Sequence, residues 1–153
     1  METYFEHIHQ LPSNTQPLFG KMTAQHMVEH LAFTIRFSNG ASPLTTLVTP
    51  AEHLPKMRAF LYSDQNLSKN FLSPFLPQDG SLPTLRFPDM NTAKEDLLKE
   101  WKTFERYFEN NPEAKPLHFM FGELNREEWV RFHRKHFRHH LEQFGIGTIN
   151  DGL

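Results

Sequence analysis

The chain has 153 residues and a mass of 18.0 kDa, which fits one domain with a buried core of its own. Hydrophobic residues are 38% and charged residues 22%, which excludes a disordered tail or a membrane protein, and a formal charge of −2 excludes a basic surface that grips nucleic acid. The chain has no cysteine, so disulfides, thiolate-held metals and an intrinsic thiol nucleophile are excluded together, while 10 histidines stand out.

The first residues, METYFEHIHQLPSN, show neither a positive n-region nor an apolar h-region, so a cytoplasmic protein is expected. Thr3 and Glu6 have capping-box spacing, and Tyr4, Phe5, Ile8 and Leu11 form one apolar face before Pro12 and Ser13 end the helix. A second helix starts after Pro17 and Gly20 with Thr23 as its N-cap. Its stripe is Ala24, Met27, Val28, Leu31 and Ile35, and Asn39-Gly40 is its stop. His30 lies at the edge of that stripe. Seven prolines break residues 41–90, leaving one short helix expected over His53 to Tyr62, with Leu54, Met57, Phe60 and Leu61 inward. Residues 63–90 read as a long irregular excursion tied down by Phe71, Phe75 and Phe87.

A third long helix is capped by Thr92 with Glu95, carries Leu97, Leu98, Trp101, Phe104 and Phe108 on one face, and stops at Asn110-Asn111-Pro112. The last helix runs from about Asn125 to Phe144. Its inner face holds Trp129, Phe132, His133, His136, Phe137, His140 and Phe144. Glu127, Arg131, Arg134, Arg138 and Glu142 form an outer face, and the basic residues Arg126, Arg131, Arg134, Lys135 and Arg138 read as solvated. No alternating strand is evident. The expected fold class is all-α, a helical bundle with a long irregular inserted loop region.

His136 and His140 stand at i and i+4, one turn apart on the same helical face, and His30 faces them from another helix. Three neutral imidazoles from two helices bind a divalent ion and leave coordination positions open, the layout of a catalytic site rather than a closed structural one. With 10 histidines in 153 residues, roughly 0.6 such pairs arise by chance, and His26–His30 is a second one, so location and not spacing gives the pair its weight. The competing reading is a polar network of core histidines. His139 is a candidate second-layer donor and proton carrier, or a surface residue. His133 is a candidate proton shuttle or a core histidine. Gln143, three residues past His140, is a candidate to orient a ligand or a substrate. His118 reads as a structural hydrogen-bonding residue, Glu29 as solvated, and His7, His9 and His53 as surface residues. No phosphate loop, nucleophile elbow or dinucleotide fingerprint is present.

The segment PLFGKMTAQHMVEHL, followed at a distance by HFMFGELNREEWVRFHRKHFRHHLEQFG, resembles the DinB-like (YfiT-like) superfamily of four-helix bundles, and within it a branch of unknown function. The resemblance spans essentially the whole chain, and its C-terminal motif is the more specific. It implies a divalent metal held by one histidine of the second helix and two of the last, which match His30, His136 and His140, with Gln143 at the family's trailing glutamine. It implies either a thiol-dependent transferase or a metal-dependent hydrolase or isomerase. The expected cofactor is therefore a divalent metal, zinc first, with nickel, iron or manganese also compatible with three imidazoles. Any thiol must be an external low-molecular-weight one. The expected partner is a small-molecule substrate, with no nucleic acid, no membrane, and a homodimer compatible with the phenylalanine surplus. Because imidazoles ligate only when neutral, metal release is expected as pH falls through ~6. The alternative is a non-enzymatic ligand-binding or interaction bundle.

Overall fold

The computed structural model describes residues 1–69 and 73–147. The fold is mostly helical. Its elements are α1 (Glu2–Gln10), α2 (Ala24–Ile35), α3 (Leu54–Tyr62), α4 (Met90–Asn110) and α5 (Arg126–Gln143), with a short 3₁₀ turn at Ala51–His53 leading into α3. A minimal antiparallel ladder, β1 (Leu117–His118) and β2 (Gly122–Glu123), joins α4 to α5. This ladder is a correction to the strand-free expectation. Each of its strands is two residues long, too short to show alternation. Among the described residues no helix is long and apolar enough to cross a membrane.

The helix starts show where local signals compete. Thr23 caps α2 by accepting the His26 N–H, as its sequence position implies. The other two expected capping boxes fail. α1 starts at Glu2 with no side-chain cap, and α4 starts at Met90, where Asp89 accepts the Thr92 N–H at 2.8 Å. A carboxylate three residues upstream outcompetes Thr92 for the same role. α2 also ends at Ile35, four residues before Asn39-Gly40, because Ser38 and Asn39 turn inward and are buried. Asn39 donates to the Glu100 carboxylate at 2.7 Å, and Arg36 spans to Asp96 and Glu100 at 2.7 and 2.9 Å, so the end of α2 is pinned to α4.

The core runs through all five helices. Tyr4 and Ile8 enter from α1, the whole predicted stripe of α2 is buried, and Leu61 comes from α3. Leu97, Trp101, Phe104 and Phe108 come from α4, and Trp129, Phe132 and Phe137 from α5. Leu98 is a correction: it is 41% exposed, on the outside of α4. α2 packs along α4, and α5 touches α1, α2 and α3.

The expected solvated face of α5 is the larger correction. Lys135 and Arg138 are buried. Lys135 donates to the carbonyls of Ser63 and Gln65, and Arg138 to that of Asp64 at 3.2 Å. The chain leaving α3 thus lies across the basic face, and its backbone oxygens satisfy cations that would otherwise be buried bare. Glu29, expected to be solvated, is likewise buried and accepts the N–H groups of Arg86 and Phe87 at 2.7 and 3.3 Å. The long excursion is therefore held at both ends by α5 and α2. Phe75 pairs with Phe37 and Phe119, and Phe87 packs against the core, while Phe71 lies outside the described residues.

Glu128 anchors the start of α5. One oxygen accepts the Asn125 N–H at 3.0 Å and completes a capping box, and the other accepts from the Tyr62 hydroxyl at 2.9 Å and from the Arg58 guanidinium. Glu128→Ala removes half of the capping box and the carboxylate that Tyr62 and Arg58 of α3 share. The expected loss is about 2–3 kcal/mol in chemical denaturation. Arg58 remains part-exposed, which keeps the loss below that of breaking a fully buried ion pair.

Candidate metal centre

The helical spacing of His136 and His140 becomes a shared nitrogen focus. The Nε2 atoms of His30 and His136 are 3.0 Å apart, and those of His136 and His140 are 3.1 Å apart. His30 comes from α2, so the focus is a genuine tertiary convergence of residues 106 positions apart. Among the described residues this is the group of histidine, cysteine or carboxylate side chains placed to hold a metal ion.

The nitrogens fit an ion better than they fit one another. A ring nitrogen offers one in-plane position, either a proton or a lone pair, so His136 Nε2 cannot serve two Nε2 neighbours as a good hydrogen-bond partner. The proton of His140 is assigned by its neighbour. Gln143 Nε2 donates to the Phe19 carbonyl at 2.8 Å, which turns Gln143 Oε1 toward His140 Nδ1, also at 2.8 Å. The amide oxygen only accepts, so Nδ1 carries the proton and Nε2 presents a lone pair to the focus. All three ligand nitrogens lie within 4.8 Å of one another, close enough to be shared by one ion at metal–nitrogen bonds of about 2.0–2.1 Å.

Electrostatics keeps these rings neutral. Burial, then the charge of His139, lowers His30 to about 4. Burial is also the main cause for His136 and His140, both well below the ordinary histidine value, with mutual repulsion adding to it. Neutral imidazole is the ligating form, so protons compete with a metal only at pH values below those of an exposed histidine. Acid release through ~6, the expectation for unperturbed rings, therefore shifts downward.

Gln143 is placed by its own local structure. It ends α5, and its carbonyl accepts the Leu18 N–H at 2.7 Å. The turn at Phe19-Gly20 is thereby docked on the helix end. Gly20 has φ +75°, and a Cβ there would stand 2.7 Å from Gln143 Nε2. Gly20→Ala forces either the turn or the glutamine to move. The expected result is a 10–100-fold weaker metal affinity by competitive chelator titration, as for loss of a ligand's orienting partner. Gln143→Ala should match it, which separates loss of orientation from general unfolding.

His30, His136, His139, His140 and Gln143 all line a cavity of about 760 Å³, within the range of small-molecule sites. Its walls are mainly apolar in surface, with phenylalanine the commonest residue, and are drawn from the turn before α2, α2, α3, the 63–90 excursion, the hairpin and α5. His139 sits half-buried at the edge, 5.6 Å from the Phe19 ring and 5.0 Å from the His140 ring. Burial lowers its pKa and a hydrogen bond with the Leu67 backbone partly opposes this.

His133 is placed differently. It does not line the cavity. Its ring is fully buried, stacked on Trp129 at 5.4 Å, with the edges of Trp101 and Phe104 nearby. Ser38 Oγ gives its proton to the Ile35 carbonyl, so it accepts from His133 Nε2 at 2.9 Å. That proton is committed to the core. His26 is also outside the site, held between Thr23 Oγ1 and the Pro83 carbonyl. His118 is buried, as a structural histidine should be, but it also forms part of the cavity wall, which its flanking hairpin alone did not disclose.

No curated protein and no solved structure matches the chain. A family model covers residues 3–145, nearly its whole length, and by that match the chain belongs to the family described as "Protein of unknown function (DUF1569)".

Proposed function

We propose that the protein is a divalent-metal-dependent enzyme acting on a small molecule, built on a DinB-like four-helix bundle in which α1, α2, α4 and α5 are the four rods and α3 with the 63–90 excursion is the insertion. The observation that carries this reading is the convergence of three Nε2 atoms, 3.0 and 3.1 Å apart, on the wall of a cavity of about 760 Å³. His30, His136 and His140 would hold the ion, zinc first, with nickel, iron or manganese compatible with the same donors. Such an ion supplies Lewis acidity and lowers the pKa of water or of a thiol near it.

The chain's own residues do the rest. Gln143 orients His140 and fixes its tautomer. The phenylalanine side chains lower the local dielectric of the lining, which strengthens polar contacts beside them. His139, whose pKa burial lowers, sits where a proton can be held or passed at the cavity edge. The reaction class is transfer of an external low-molecular-weight thiol or hydrolysis. The chain has no cysteine to serve as the nucleophile.

The test is metal content of protein purified without a histidine tag, followed by chelation and reloading with each candidate metal. About one ion per chain, lost on chelation and regained on reloading, supports the proposal. A protein that takes up none of the four metals is instead a non-enzymatic bundle with core histidines.

A further inference from the structure

The wall that surrounds the three histidines carries charge of one sign. Lys21, Lys56 and Lys69 line the cavity, and among the described residues no aspartate or glutamate does. Lys21 is engaged with the Gly80 carbonyl at 3.2 Å, and Lys69 stands 4.7 Å over the Phe19 ring. None of the ion pairs among the described residues involves a lysine. A cavity with apolar walls and only cationic groups at its margin selects a ligand with an apolar body and a negative charge.

His118 adds an independent observation. Its Nδ1 accepts the Met120 N–H at 3.1 Å. A backbone N–H only donates, so Nδ1 bears the lone pair and the proton of the neutral ring sits on Nε2. That Nε2 is buried and has no partner among the described residues. A buried donor without an acceptor is costly and calls for an explanation, of which a bound group that supplies the missing partner is one. The ring is 4.3 Å from Phe132, which itself stacks on His136 at 5.4 Å, so this ring belongs to the same part of the wall as the proposed metal ligands.

We infer that the cavity binds an organic monoanion with a ring- or chain-sized apolar body, its acid group drawn by Lys56 and Lys69 and its acceptor oxygen met by the His118 Nε2–H. This names the substrate class for the site proposed above and rests on that reading for its catalytic meaning, while the binding itself depends on the chain's own side chains.

The test is calorimetric titration of the chelated protein at low salt with matched probes. 2-Naphthoate, 2-naphthalenemethanol and 2-naphthylmethylammonium share one ring system and differ in charge. Dodecanoate and dodecanol repeat the comparison for a chain. At least one acid should bind 10-fold or more tighter than its alcohol, with the ammonium probe weakest. The pair that shows the preference tells a ring from a chain. Lys56→Met with Lys69→Met should cut the affinity of the preferred acid 5-fold or more and change that of its alcohol less than 2-fold. His118→Phe, which keeps the ring volume, should cut acid affinity about 5-fold. Equal affinities for acid and alcohol, or no binding of either acid, overturns the inference, and the lysine pair decides if His118→Phe fails to fold. Acid binding by a chain that takes up no metal leaves this inference standing and removes the metal reading. Metal uptake without acid preference does the reverse.

Discussion

Replacing His136 and His140 together with alanine should take bound metal from about one ion per chain to none, measured by elemental analysis after desalting. The double variant leaves His30 as the sole donor, and among the described residues no carboxylate lines the cavity to replace the lost nitrogens. Structural zinc sites bind with about 10–16 kcal/mol over four ligands, so an even share is about 3 kcal/mol each and two ligands are worth about 10⁴-fold in affinity. His30→Ala alone keeps the i, i+4 pair on α5 and should weaken binding by about 10²-fold while leaving it measurable. The graded series distinguishes a three-nitrogen site from adventitious binding at surface histidines such as His9 or His53, which both variants retain. Circular dichroism and thermal melting of the metal-free forms control for folding. A double variant that holds metal as the parent does refutes the site.

The helices, and the His136–His140 pair that converges with His30, were legible in the sequence where a local pattern carries them. The α2 stripe with its Thr23 cap and the α4 stop are set by residues within a few positions of one another. His136 and His140 are one turn apart by helical geometry alone. What periodicity does not encode is which polar face another segment will cover. Lys135 and Arg138 read as solvated because their neighbours are charged, and they are buried because the backbone carbonyls of residues 63–65 arrive from across the chain. The same holds for Glu29, whose partners are the backbone N–H groups of Arg86 and Phe87, 57 and 58 positions away. Backbone partners of this kind carry no residue signature.

The cavity shows the same division. Its histidine-bearing side follows from α2 and α5, while Phe60, Phe75 and Lys69 come from segments whose sequence shows only prolines and scattered aromatics. The role of Gly20 is the intermediate case. A glycine before a helix reads as a turn, yet the reason for it is a glutamine 123 positions later that needs the space. That contact gives a physical reason for PLFGKM near one end of the chain and HHLEQFG near the other to occur together.

The chelated protein should unfold steeply in mild acid. Burial lowers His133 to about 3 and His30 to about 4, while both titrate near 6.5 once the chain is unfolded. The unfolded state therefore binds more protons than the folded state below pH 6.5, so stability falls as pH drops from there toward the folded values and the loss is complete below them. At pH 5 each of these two rings costs about 2 kcal/mol, about 4 kcal/mol together, out of a typical total of about 5–15 kcal/mol. His118, His136 and His140 are shifted in the same direction by burial and add to the loss. Chemical denaturation of chelated protein at pH 7 and pH 5 should therefore show a drop of at least about 4 kcal/mol, or unfolding before denaturant is added. His133→Gln removes one titrating ring outside the metal site and should flatten the slope between pH 6 and pH 5 by up to about 1.4 kcal/mol per pH unit, whatever it does to stability at pH 7. Saturating metal should move the acid transition to lower pH, because an ion bound to the three nitrogens competes directly with the protons that unfold the chain. A pH-independent stability between 7 and 5 would mean that these rings are hydrated in the folded protein and that the core described above is not closed around them.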